Sequence, residues 1–173
     1  PDSQVFGTGT SLDTARMKRV VGEFFGFDPS VVDVRIEDAR TFVRRCGTIY
    51  DIAIVDLFHG DNTPDYLMTQ EFFTDLAKCM DDDSVLVINA FFDSENEAPN
   101  QRVRATIHSV FPSLFEFRSP DGAAYLAATK VDRGAPDPLK PVQLPAFMRQ
   151  DFAAAAANTR RIGEAMIQGA API

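Results

Sequence analysis

Asp56 closes an apolar run, Tyr50-Asp51-Ile52-Ala53-Ile54-Val55-Asp56, and Leu57-Phe58-His59-Gly60-Asp61 follows it. The run reads as a buried parallel strand. An acid at its carboxyl end would emerge where open α/β sheets place their ligand crevice, and a carboxylate there can accept a proton from a substrate. The plainer reading is a cap on the next turn. His59 is a base that titrates near neutrality, or a bystander in a loop. Asp61 reads equally as a solvated turn residue. Asp38 follows the β-branched stretch Val31 to Ile36 and precedes a short helix around Thr41 to Arg45. It can accept a hydrogen bond from a ligand or cap that helix. Asp13 offers a helix cap too. Gly7-Thr8-Gly9 falls short of a full phosphate-cradling loop. His108, inside a helix, reads as a surface or packing residue.

The elements that must position these residues are legible in outline. Residues 5 to 12 form a glycine-containing strand or a loop. Met17, Val20, Val21, Phe24 and Phe25 follow at helical spacing, with Gly26 as a stop. After the Asp56 strand, Thr63-Pro64 predicts a helix start, a capping hydroxyl followed by proline at the first helical position. That helix runs to about Met80, with Leu67, Met68, Phe72, Leu76 and Cys79 inward. Asp81-Asp82-Asp83 is a solvated turn. Ser84 to Ala90 reads as a buried strand and Gln101 to Phe111 as a helix. Leu114 to Arg118 and Ala123 to Lys130 are strands joined by Ser119-Pro120-Asp121-Gly122, hence an antiparallel hairpin. A proline-rich linker spans 131–145, and a helix is expected over 146–168, supported by its alanine run. Strands alternating with helices imply an α/β fold with a mostly parallel sheet and an antiparallel edge from the hairpin. No internal repeat is present, and 1–173 reads as a single domain.

Composition narrows the partners. Net charge is −8, from 25 acids against 17 bases. Nucleic-acid binding needs a basic face, so it is not expected. A cationic substrate would suit the acidic balance. The two cysteines, Cys46 and Cys79, have neither metal spacing nor a disulfide framework, so no metal site is expected. No stretch reaches the ~20 apolar residues that cross a bilayer. A cytoplasmic location and no membrane partner are the expectations.

The order of elements resembles the class I S-adenosylmethionine-type fold, a Rossmann-like three-layer α/β/α sandwich. Within it the chain is similar to the spermidine synthase (polyamine aminopropyltransferase) family, over roughly Leu12 to Lys130. Glu37-Asp38-Ala39 resembles the family's Gly-Asp-Ala. Tyr50 to Asp56 resembles the strand that carries the catalytic Asp. Pro64, Leu67, Thr69 and Glu71-Phe72-Phe73 resemble the stretch after it. Phe24-Phe25-Gly26-Phe27 ends a helix as in that family.

The resemblance implies aminopropyl transfer from decarboxylated S-adenosylmethionine to an amine such as putrescine, with Asp56 as proton acceptor. It implies that Asp38 and Ala39 hold the adenine end and that His59 and Asp61 lie at the amine end. S-adenosylmethionine or its decarboxylated form would be a co-substrate, with no tightly bound cofactor, and a homodimer would be expected. The chain departs from the family in places. Either Gly7-Thr8-Gly9 is a fragment of the family's glycine-rich loop, or Val5 to Asp13 is the second strand; in the second case Ser11 stands where the family has its ribose carboxylate, and Asp13 is a substitute or a helix cap. His59 interrupts the Asp-x-x-Asp-Pro pattern, and Met68 replaces a tyrosine. A full glycine-rich loop and the amino-terminal hairpin domain are missing, and the chain starts at Pro1 and ends at Ile173 where relatives often continue, so truncation at both ends is expected. Two alternatives stay open: a methyltransferase on the same fold, and a degenerate, non-catalytic domain or fragment.

Overall fold

A computed structural model describes residues 4–6, 22–23, 28, 33–35, 37–56, 64–92, 96–118, 123–132, 134, 149, 153–155 and 157–173. The chain divides into two compact units, Pro1–Cys46 and Gly47–Ile173. In the first unit, β1 (Gln4–Phe6) pairs in parallel with β2 (Asp33–Arg35). Helix α1 (Ala39–Arg44) follows, and its buried residues are Ala39 and Val43.

The second unit is built on a five-stranded sheet of order β3-β4-β6-β5-β7. Its strands are β3 (Ile52–Val55), β4 (Val85–Phe91), β5 (Ser113–Arg118), β6 (Ala123–Thr129) and β7 (Thr159–Ile162). Only β3 and β4 run in parallel; the other three pairings are antiparallel. The expected mostly parallel sheet is therefore corrected for this unit. The hairpin is present, but β6 inserts between β4 and β5 and does not form the edge. The physical reason is that the four-residue connection forces β6 to run back beside β5, while its Ala and Leu side chains can be buried between two neighbours.

Strand alternation gives the sheet one covered face. Val55, Leu86, Ile88, Ala90, Leu114, Ala124, Leu126 and Ala128 are buried along it. Helices α2 (Gln70–Ala77) and α3 (Glu97–His108) supply Phe72, Phe73, Leu76, Ala105 and Ile107 to the core. The other face carries Ile52 and Ile54, which are 61% and 71% exposed, and Tyr125. The β3 strand was expected to be buried throughout; of its residues only Val55 is.

Two helix expectations change. Pro64 begins a single 3-10 turn, Asp65–Leu67, and α2 starts afresh at Thr69, whose Oγ1 accepts from the Phe72 N–H at 3.3 Å. The inward residues Leu67, Met68, Phe72, Leu76 and Cys79 are all buried as expected. The helix expected over 146–168 is interrupted: Thr159–Ile162 form β7 against β5, and a short helix α4 (Glu164–Ile167) follows. Sheet pairing and ion pairs from Arg160 to Glu116 and Arg161 to Asp132 override helix propensity there.

The covered face also holds a charged cluster. Glu116 on β5 is fully buried and accepts from Arg104 Nε (2.5 Å), Arg118 Nε (2.8 Å) and Arg160 Nη2 (2.7 Å). Arg104, 1% exposed, also donates to Glu97 and stacks its guanidinium 4.6 Å from the Phe92 ring centre. Burial pushes the Glu116 carboxyl up, but the three arginines outweigh it and hold the group below its ordinary value.

Candidate active site

The β3–β4 register fixes the site. Val55 lies opposite Ile88, so the next position, Asp56, falls beside Asn89. Asp56 sits just past the strand's carboxyl end, exposed, and its Oδ1 accepts a hydrogen bond from Asn89 Nδ2 at 3.0 Å. In the antiparallel ladder Asn89 pairs with Tyr125, and Tyr125 pairs with Phe117. The Tyr125 and Phe117 rings stack with centres 6.0 Å apart. Asp56, Asn89, Tyr125 and Phe117 thus form one row across the sheet. The row combines a carboxylate, a carboxamide that donates to it, and an aromatic surface that can meet alkyl or cationic groups.

Asp38 is the N-cap of α1, its Oδ1 accepting from the Thr41 N–H at 2.8 Å, and Ala39 is the buried first residue of that helix. His59, Asp61 and Asp13, with the Met17 to Phe25 stripe and Gly7-Thr8-Gly9, lie outside the described residues. His108 is half-buried at the end of α3. Asn89 was missed by the sequence reading. Its signal was available: it is a carboxamide inside Val85-Leu86-Val87-Ile88-Asn89-Ala90-Phe91, an otherwise apolar strand, and Asn is depleted in strands. Among the described residues, no three His, Cys, Asp or Glu side chains are placed to hold a metal ion. No described helix is long and apolar enough to cross a membrane.

An α/β domain of Rossmann-like type, with an acid at a strand's carboxyl end, is the class that these features define. Comparison with known proteins makes it specific. The family model of the spermine/spermidine synthase domain matches residues 15–118. The chain belongs to that family. A polyamine aminopropyltransferase from Vibrio vulnificus is 32% identical over 108 residues, which is 60% of this chain and 35% of that protein. An N-terminal histidine N-methyltransferase from Emericella nidulans is 34% identical over 113 residues, 58% of this chain and 20% of that protein. The chain thus spans about a third or less of the length of these curated relatives.

Among solved structures, a probable spermidine synthase from Corynebacterium glutamicum superposes with a TM-score of 0.69 at 18% identity, covering 98% of this chain and 62% of that one. A spermidine synthase in complex with the transition-state analogue AdoDATO gives 0.65 at 18%, covering 96% and 61%. At these identities the structural likeness speaks for the fold.

Proposed function

We propose that this chain is the nucleotide- and amine-handling part of a polyamine aminopropyltransferase. The reaction moves an aminopropyl group from decarboxylated S-adenosylmethionine to an amine. A neutral amine nitrogen attacks the carbon beside the sulfonium. The new C–N bond forms as the C–S bond breaks, and the bonding pair leaves on sulfur. The leaving group, 5'-methylthioadenosine, departs neutral and needs no acid. The attacking nitrogen must shed a proton, and Asp56 accepts it, directly or through a water molecule. Holding nitrogen, carbon and sulfur in line is an entropic contribution of the folded site. Asp38, Ala39 and Asp13 hold the adenosyl end, while His59 and Asp61 meet the amine. Two copies form the working dimer.

The observation that carries this reading is the exposed Asp56 carboxylate, held by Asn89 at the carboxyl end of β3. A methyltransferase is the second reading, favoured by the likeness to the histidine N-methyltransferase. Thermal-shift titration separates the two, because binding to the native state raises its melting temperature by mass action. Aminopropyl transfer predicts stabilisation by 5'-methylthioadenosine well above that by S-adenosylhomocysteine. The reverse preference would move the assignment to methyl transfer. Absence of both shifts would sink both enzyme readings and leave a degenerate domain.

A further inference from the structure

We infer that Asn89 is a positioning residue for Asp56: its carboxamide fixes the carboxylate so that the second oxygen faces the attacking amine. This role rests on the reading of Asp56 as proton acceptor.

Three observations lead to it. First, Asn89 costs the strand something and must return something. It is the polar member of β4, between Ile88 and Ala90, both buried. Asn is disfavoured in strands, and a hydrophobic or β-branched residue would suit the position better. Second, its Nδ2 reaches Asp56 Oδ1 at 3.0 Å across 33 residues of sequence. The register makes this bond geometrically natural: one strand ends at Val55, the other continues, and position 89 looks across at position 56.

Third, the donor engages one oxygen. A carboxylate on two single bonds past a strand end can turn freely about both. One hydrogen bond from a side chain rooted in the sheet removes much of that freedom. Among the described residues no donor meets Oδ2, which can take a proton from the substrate. Asn89 is itself flanked on the other side by Tyr125, its register partner, whose ring is stacked on Phe117. The carboxamide therefore lies between an aromatic neighbour and the acid. A neutral donor suits this task better than Lys or Arg would, because a permanent positive charge would compete for the carboxylate and repel an ammonium substrate.

The test compares the unaltered protein with Asn89→Leu, Asp56→Ala and the double variant, using decarboxylated S-adenosylmethionine and putrescine as probes. Leucine is close in volume and suits the strand. Asn89→Leu should lower kcat about ten- to hundredfold, the scale of a misplaced reacting group. KM for decarboxylated S-adenosylmethionine should change less than twofold, and stabilisation by methylthioadenosine should persist. In the Asp56→Ala background Asn89→Leu should add no further loss, since residues that act as a unit are not additive.

A kcat within twofold of the unaltered protein would overturn the proposal. So would equal losses in both backgrounds, which would mark a merely structural residue. Should Asn89→Leu lose its methylthioadenosine stabilisation, Asn89→Thr repeats the comparison in a residue that strands favour. An active Asp56→Ala, or no turnover by the unaltered protein, would instead sink the proton-acceptor reading, and the role of Asn89 with it. An inactive Asp56→Ala beside a fully active Asn89→Leu would sink the positioning role alone.

Discussion

Two carboxylates lie in neighbouring rows of one sheet, on opposite faces, and they are treated in opposite ways. Glu116 is fully buried and receives hydrogen bonds from Arg104, Arg118 and Arg160, which come from α3, β5 and β7. Asp56 is exposed and, among the described residues, receives one, from a neutral carboxamide. A buried ionised group must be paired and hydrogen-bonded, or its desolvation is ruinous. Glu116 meets that condition with three arginines and is closed to solvent, out of reach of a ligand. Asp56 is held by one oxygen and keeps solvent access and spare acceptor capacity. Redundant charged partners mark an acid that joins elements; a single neutral partner beside open solvent marks one that can act on a substrate.

The largest effect should come from Asp56. Asp56→Asn keeps the size and removes the base. Turnover should fall about 10²- to 10⁴-fold, the usual share of a positioned acid or base. The melting temperature should stay within a degree or two, because surface substitutions away from networks stay within about 0.5 kcal/mol. A methyltransferase reading expects Asp56→Asn to spare activity, so the assay also tests that alternative. A large drop in melting temperature would break the comparison by showing Asp56 to be structural.

Glu116 should behave the other way. Glu116→Leu leaves Arg104 buried beside an apolar side chain. Losing one partner of a buried pair costs about 3–5 kcal/mol, a fall in melting temperature on the order of ten degrees for a chain of this length. The catalytic rate per folded molecule should hold. Adding Arg104→Met should recover much of the loss, since apolar replacement of a whole buried pair is often neutral. Arg118 and Arg160 need no such repair, being partly exposed and free to turn to water. Failure of the double variant to recover would mean that the cluster joins β7 to the sheet in a way packing cannot replace.

Acid should reveal the same asymmetry more gently. Glu116 is pushed up by burial and pulled further down by its arginines, so its folded pKa lies below the ordinary 4.5. Glu97, which pairs with Arg104 and Arg118, is lowered as well. For a lowered carboxyl the unfolded chain binds more protons than the folded one in this window. Stability is then present in full above the ordinary value and drains away as pH falls through the folded value. Melting temperature followed downward from pH 6 should therefore hold and then decline below about 4.5. The decline should be shallower in Glu116→Leu, which starts lower. An unchanged slope would place the acid-labile interaction elsewhere.

What could be read in the sequence divides along the same line. The apolar runs that became β3 and β4, the inward stripe of α2 and the hairpin of β5 and β6 are local patterns, and local patterns were legible. Strand order was not. Nothing in Ala123-Ala124-Tyr125-Leu126 says that the strand enters the sheet beside β4 instead of closing its edge. Thr159-Arg160-Arg161-Ile162 follows an alanine run and reads as helix. It is a strand because Arg160 finds Glu116, 44 residues earlier, and Arg161 finds Asp132, 29 residues earlier. The site shows the same limit. Asp56 was visible from its place after an apolar run. Asn89 stood out only as a carboxamide in an apolar strand; its bond to Asp56 was not legible, because it spans two strands and depends on a register that the run alone does not set.

Asp38 offers the finest division, because its carboxylate has a structural partner and a proposed ligand. As N-cap of α1 it accepts from the Thr41 N–H, and the proposed function would also have it accept from the adenine amino group. A carboxylate can accept more than one bond, having two oxygens and about four lone-pair sites. Asp38→Ser separates the roles. Serine caps a helix about as well as aspartate, so α1 and the melting temperature should stay nearly as they are. Serine lacks the charge and the reach to meet adenine. Hydrogen bonds to charged groups contribute roughly 1.5–3 kcal/mol, so affinity for methylthioadenosine should fall about tenfold or more by calorimetry. Unchanged affinity would place Asp38 with Glu116, an acid used for folding. Weaker binding at constant stability would place it with Asp56.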